Sequence, residues 1–372
     1  GVLLGLHPPY PRACLEDRGY AVVGGVLDED DVARATDLFW DLVERSDGSE
    51  VRRSDPSTWE HWPANRKGLV RLAGVGQSEL MWFLRTRPRV LEAFAGAWRC
   101  GAEDLIASFD GCAACRPLQT SARWRTSGLW YHVDQNGWDT GSGFECVQGF
   151  VALTDNDHST GGLLVIPGSH TRHEELFTHS GLEWDGWTDF VRVPWDDEVV
   201  TGTVPVLVCC RRGDLVLWDS RVVHCNVPAP HPFDASPLED ALKAEGLEGA
   251  VERLCGQLGL WSVQDAVARL APEAREPPAV ARLVRRWAEL LVATSPPAPQ
   301  GGLQRLVAYV CCLPRARASE EVLRARCRAA ALGHTMTHWP NKCQTVLEDA
   351  GRSAGRAFTA RERQLIGARA ER

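Results

Sequence analysis

Three segments of the chain carry side chains whose types and spacing suit metal chemistry. The first reads Trp130-Tyr131-His132-Val133-Asp134-Gln135-Asn136. On a strand, residues i and i+2 face the same side, so His132 and Asp134 can point together into one cavity. The second runs from Gly213-Asp214 through the apolar Leu215–Trp218 to His224, a second imidazole from far along the chain. Two imidazoles and one carboxylate on one face of a metal leave the opposite face open, which is the ligand set of non-haem iron(II) oxygenases. The third is Leu303–Val310, where Arg305 begins an apolar strand. A guanidinium there can grip a carboxylate through two parallel hydrogen bonds. An HxD pair alone is a weak signal, because a core histidine beside a turn aspartate gives the same text.

Elements that could position these groups are legible around them. Tyr20–Val23 reads as a strand, Gly24-Gly25 as a turn, and Asp28 as the cap of a helix in which Val32, Ala35, Leu38, Phe39 and Leu42 recur at helical spacing. Residues 46–68 are polar and broken, with Trp59 and Trp62 in a loop, and a second helix covers Ser78 to Trp98 with an interruption near Pro88. From Leu105 the text becomes short apolar runs divided by Gly, Asp, Asn and Pro: Leu105–Phe109, Leu129–Val133, Phe144–Leu153, Leu163–Pro167, Pro205–Cys210, Asp214–Trp218 and Leu306–Cys312. That pattern predicts a β-sandwich or barrel with functional loops. The expected organisation is one domain over 1–372. It comprises an N-terminal helical support at 15–104, a core at 105–233 and 303–313, a helical insertion at 234–302, and a C-terminal helical extension at 314–372. Residues from Gly351 read as a surface helix or a frayed tail.

Composition limits the function classes. The formal net charge is −8. Residues 305–372 carry 13 Lys and Arg against 6 Asp and Glu, a net of +7, so the remainder stands at −15. An acidic body repels a polyanion, so no nucleic-acid partner is expected. Thirteen cysteines in a long chain able to form its own core fit a reducing, intracellular and cytoplasmic setting, and a removed targeting peptide would leave no trace. Cys112 and Cys115 have CxxC spacing without a second such pair, and read as ordinary thiols rather than a zinc site. No run of 18 apolar residues occurs, so no membrane span is expected. Nothing in the text sets an oligomeric state.

The order of motifs resembles the phytanoyl-CoA dioxygenase-like branch of the iron(II) and 2-oxoglutarate-dependent oxygenases. Leu15–Val23 is similar to that family's first strand and its lead into a helix. Val147–Asp155, followed by Gly161-Gly162-Leu163-Leu164-Val165-Ile166-Pro167-Gly168-Ser169-His170, matches its core strand, loop and "GxLxxxPGSH" signature. The segment from Gly213 to His224 matches its metal-histidine strand. The resemblance spans roughly 15–312 apart from the insertion. It implies a mainly β fold with flanking helices: a double-stranded β-helix (jelly-roll, cupin-like) core. It also implies Fe(II), 2-oxoglutarate and O2 as cofactors, with ascorbate as a reductant.

By that resemblance His132, Asp134 and His224 become the metal triad, and Arg305 the partner of the distal carboxylate of 2-oxoglutarate. The family's arginine follows its second metal histidine far more closely, so Arg221 is the rival; three residues before His224, it faces the other way on a regular strand. Gln119, Tyr131, Gln148 and Asn226 are further candidates for contacting the cosubstrate or orienting ligands. Trp130, Trp138 and Trp218 are candidates for the pocket wall, His170 for a structural turn, and Thr335–Lys342 for a substrate wall or a plain loop. The expected reaction oxidises a C–H bond of a small organic substrate. Asp134 occupies the coordination position that a halide would need, so halogenation is not expected. Two alternatives follow from the same text: an oxygenase acting on a nucleic-acid base or protein side chain, and a non-catalytic jelly-roll binding module.

Overall fold

A computed structural model describes residues 10–118, 120–121, 124–128, 130–157, 159–179, 181–229, 302–347 and 356–368. Helix α1 (Tyr10–Arg18) leads through Gly19 into strand β1 (Tyr20–Val23), and a Gly24-Gly25 turn opens helix α2 (Glu29–Glu44). Asp28 caps α2, its carboxylate accepting from Asp31 N at 2.8 Å and satisfying one of the unpaired first-turn donors. The expected second helix is two, α3 (Glu79–Arg85) and α4 (Pro88–Trp98). Proline at the first position of α4 lacks only a donor that the helix would leave unpaired, and its ring ends the preceding helix.

The remaining strands are β2 (Leu105–Ala107), β3 (Cys112–Cys115), β4 (His132–Val133), β5 (Val147–Ala152), β6 (Gly162–Val165), β7 (Glu183–Trp184), β8 (Val191–Arg192), β9 (Val206–Leu207), β10 (Leu215–Asp219), β11 (His224–Val227), β12 (Arg305–Tyr309), β13 (Cys312–Pro314), β14 (Thr335–Met336) and β15 (Thr345–Leu347). Short helices α5 (His173–Leu176) and α6 (Glu198–Thr201) lie among them, and α7 (Glu320–Ala331) and α8 (Ala360–Ile366) follow β13 and β15.

Two antiparallel sheets form the core, one of order β1-β10-β5-β12-β3 and one of order β7-β8-β4-β11-β6-β9. Alternation along each strand sorts the side chains. On β5 and β12, Val147, Val151, Leu306 and Ala308 face outward onto α2, α3 and α4, where Phe39, Leu80, Leu91 and Phe94 are fully buried. Each such side chain contributes about 1.5–3 kcal/mol by leaving water. Phe150, Ala152, Val216, Trp218 and Val307 face inward and meet Leu163 and Val165 of the other sheet. The architecture is a jelly roll with flanking helices.

Cys112 and Cys115, read from the sequence as ordinary thiols, lie on β3, three residues apart on opposite faces, so their thiols cannot converge on one metal. Burial raises both thiols, Cys112 to about 12. The C-terminal residues are neither a surface helix nor a tail at 360–366: Leu365 and Ile366 of α8 are buried, and the buried Arg326 donates to both of their carbonyls. The expected insertion at 234–302 lies, except for its last residue, outside the described residues.

Candidate metal centre and cosubstrate cleft

His132 and His224 are direct cross-strand partners on β4 and β11, which brings their rings to 4.1 Å between centroids. Asp134 follows β4 by one residue. Its main-chain N–H donates to Ser220 O at 3.0 Å, which turns the carboxylate toward both rings. His132 Nε2 lies 3.5 Å from Asp134 Oδ1, and His224 Nε2 lies 3.3 Å from Asp134 Oδ2. One ligand atom from each residue falls within 4.8 Å of the others.

The remaining atoms of these residues are tied down. His132 Nδ1 meets Trp130 O at 3.2 Å and His224 Nδ1 meets Val222 O at 2.9 Å. A carbonyl only accepts, so each Nδ1 carries the proton and each Nε2 presents its lone pair. Gln148 Nε2 donates to Asp134 Oδ2 at 3.0 Å. Trp130 and Phe190 stack on the His132 ring at 4.6 and 4.5 Å. Burial, reinforced by His224, pushes His132 down to about 4. Burial works against ionisation of Asp134, but His132 and His224 outweigh it and hold the carboxyl well below its usual range. A neutral imidazole beside a carboxylate is the protonation state that a metal requires. The donor set therefore fits a divalent iron, with nitrogen and oxygen ligands and their outer hydrogen bonds in place.

The motif after β5 supports β11. Gly161 sits at φ +68°, and a Cβ there would lie 2.4 Å from Val227 O, so only glycine permits this approach. Gly168, at φ +81°, starts the turn in which Ser169 Oγ accepts from Val223 N at 2.8 Å, just before His224. His170 is a loop histidine of that turn, its Nε2 on Glu16 O at 3.1 Å.

Arg305 is buried and faces inward from β12. Its Nε donates to Asn156 Oδ1 at 2.6 Å and its Nη1 to Asn226 Oδ1 at 3.1 Å. Asn226 shares a face of β11 with His224. A cleft open to solvent lies here, its lining including Lys67, Cys115, Trp124, Asn226, Gln304 and Arg305. Two of the five guanidinium donors of Arg305 are used by the asparagines, which leaves an N–H edge for a carboxylate.

Other candidates lie elsewhere. Arg221 is committed to Asp219, with Nε to Oδ1 at 3.0 Å and Nη2 to Oδ2 at 2.6 Å, and donates from Nη1 to Ser142 O. Tyr131 faces away from His132, as strand alternation requires, and packs with Val133, Leu164 and Ile166 behind the sheet. Trp138 is 52% exposed and packs on Phe177 instead of lining the cleft. Trp218 lies 5.7 Å from His224. Gln119 falls outside the described residues. Sequence reading missed Tyr309, which shares the inner face of β12 with Arg305 and whose hydroxyl burial raises to about 12. It also missed Lys67, whose Nζ lies 3.9 Å from the Trp130 ring and 4.6 Å from that of Phe190. A lone lysine in a loop carries no spacing signal; Tyr309 could have been found from its i+4 relation to Arg305.

Two imidazoles and a carboxylate converging between the sheets of a jelly roll form the ligand set that marks the class of non-haem iron(II) oxygenases. The model for Phytanoyl-CoA dioxygenase (PhyH) matches residues 15–225, more than half of the chain, and the chain belongs to that family. The resemblance read from the motifs is borne out, although β12 and Arg305 lie beyond the matched residues. "Ava biosynthesis cluster protein O" of Aspergillus versicolor is 32% identical over 183 residues, 46% of this chain and 56% of that protein. The chain thus spans little more than half the length of that relative. Among solved structures, the non-heme alpha ketoglutarate dependent epimerase SnoN from nogalamycin biosynthesis aligns with a TM-score of 0.42 at 15% identity, covering 82% of this chain and 81% of that one. AviO1 from Streptomyces viridochromogenes Tue57 aligns with a TM-score of 0.40 at 19% identity, covering 61% and 90%. Among the described residues, no helix is long and apolar enough to cross a membrane.

Proposed function

We propose that this chain oxidises an unactivated C–H bond of a small organic substrate, most simply by hydroxylation, with release of succinate and CO2. The observation that carries the reading is the convergence of His132, Asp134 and His224 within 4.8 Å, each with its outer atoms already bonded. Bound iron(II) supplies the oxidising chemistry, using 2-oxoglutarate and O2, with ascorbate as the reductant that restores the ferrous ion.

The protein's own residues hold and orient. His132, Asp134 and His224 would hold the metal through two imidazole nitrogens and one carboxylate oxygen. Gln148 fixes the plane of the Asp134 carboxylate. Arg305, steadied by Asn156 and Asn226, presents its remaining N–H edge to the distal carboxylate of 2-oxoglutarate. Arg221 does not serve this role, since Asp219 already takes the edge it would need. Trp130 and Phe190 cover one side of His132 and limit the access of water. A small-molecule substrate is supported by the acidic body of the chain and by the relative's printed name, which places that protein in a biosynthesis cluster.

The test is a metabolite-extract screen with Fe(II), ascorbate and 2-oxoglutarate, read by mass spectrometry. A small molecule gaining one oxygen or losing two hydrogens, with matching succinate, is the expected result. Succinate formation equal in the wild type and in His132→Ala would sink the reading.

A further inference from the structure

The metal ligand least supported by the sheets is Asp134. It stands just beyond the two-residue strand β4, at the start of a loop that runs to residue 146. Beside tethers from Ser220, Arg221, His173 and Asp189, two come from a segment about two hundred residues later in the chain. His338 Nε2 meets the Asp134 carbonyl oxygen at 3.2 Å, a bond the ring makes as donor. Lys342 Nζ donates to both oxygens of Asp189, at 2.6 and 2.8 Å, and to Thr140 Oγ1 at 2.6 Å. Asp189, only 3% exposed, also accepts from Thr140 Oγ1 at 2.8 Å and from Asn136 N at 3.3 Å. Lys342 therefore neutralises a buried carboxylate that organises the residues directly after Asp134.

The segment delivering these groups is itself anchored on the core. It is the β14–β15 hairpin and its loop. Thr335 Oγ1 accepts from Gly76 N at 2.9 Å, and the guanidinium of Arg326 donates to Pro340 O at 2.8 Å. Trp339, 2% exposed, packs against Cys146 and Cys311. The family match ends at residue 225, so this strap lies outside it.

We propose that His338 and Lys342 are positioning residues for the metal: the strap fixes the Asp134 main chain from the side opposite to Ser220 and so sets where its carboxylate meets the ion. With Ser220 O taking its N–H, His338 holding its C=O and Gln148 holding Oδ2, the aspartate is constrained at three points. The proposal rests on the reading of His132, Asp134 and His224 as the metal ligands.

The test uses the full chain with Fe(II) and, as a spectroscopic probe, Co(II), whose ligand-field bands report coordination geometry. His338→Phe keeps a ring but removes the donor. It should weaken Fe(II) binding by about tenfold or more, as loss of an outer-shell partner does, and should shift the Co(II) bands while the thermal unfolding midpoint stays close to that of the wild type. His338→Gln, whose amide N–H can still reach the carbonyl, should recover most of the affinity and the wild-type bands. Should His338→Phe not fold, the double variant Lys342→Met/Asp189→Asn carries the test, because it removes both charges and leaves no buried ion unpaired; the same loss and band shift are expected. A wild type that binds metal, with these variants indistinguishable from it in affinity and bands, would overturn the proposal alone. A wild type that binds neither metal would overturn the triad reading and the proposal together.

Discussion

Arg305 of one sheet donates to Asn226 of the other at 3.1 Å, and Asn226 lies two residues from His224 on the same face of β11. The group expected to grip the cosubstrate is thereby tied to the strand that carries a metal ligand. Arg305→Ala is expected to raise the 2-oxoglutarate dissociation constant by at least about thirtyfold, about 2 kcal/mol, the usual cost of truncating one partner of a buried charged pair. Asn226→Ala, which removes one supporting bond, should cost about 1 kcal/mol. Calorimetry with Mn(II) in the metal site measures both. An unchanged constant in Arg305→Ala would move the role to another residue.

Gln148 donates to the metal ligand set at Asp134 Oδ2. Gln148→Leu keeps the side-chain volume and removes the donor, so Fe(II) affinity is expected to fall about 10–100-fold. The thermal midpoint should move little. Anaerobic iron titration is the measurement, and wild-type affinity in this variant would show that the bond does no orienting.

Ser169 holds Val223 N, one residue before His224. Ser169→Ala leaves that buried N–H without a partner and should cost about 1–3 kcal/mol of folding stability. Urea unfolding reads the loss. Ser169→Thr, if accommodated, restores the acceptor and should recover most of it; equal stability of all three proteins would remove the bond from the account.

His173 is buried, with Nδ1 2.8 Å from Ser142 Oγ and Nε2 2.9 Å from Gln135 O, and burial lowers its pKa from 6.5 to about 4. Between these values the unfolded chain binds the proton and the folded chain does not. Stability is therefore full above pH 6.5, falls as the pH drops through that window, and levels off below about 4. The ceiling for this one group is about 3 kcal/mol. Urea unfolding at a series of pH values should show a shallower acid slope in His173→Asn than in the wild type. Parallel slopes would assign the acid sensitivity to other groups.

Much of the site was legible because its chemistry lies in short, local patterns. The i, i+2 relation of His132 and Asp134, the Pro-Gly-Ser-His turn, and the glycine-led strand before His224 are each set within a few residues. Arg305 was singled out in spite of its distance, since it opens the next strand-like text, and it faces inward from β12. Tyr131 and Trp138 could not be placed from their types alone. A polar or aromatic side chain near a ligand falls on the working face only if the strand's alternation or a loop's path puts it there, and here both turn away. The strand that carries Cys112 and Cys115 was not among the expected ones, because a four-residue strand rich in Cys and Ala carries little β signal.

By itself the sequence determined the ligand types, their order, and the alternation that aims His132, His224, Asn226 and Arg305 inward, because each of these depends on neighbours along the chain. Only the tertiary structure decided that β4 and β11 pair with the two histidines in register, that Asn226 bridges to Arg305, and that His338 and Lys342 return to the loop after Asp134. Those contacts join residues about 80–200 positions apart, and their geometry is set by sheet order and core packing, which no local pattern encodes.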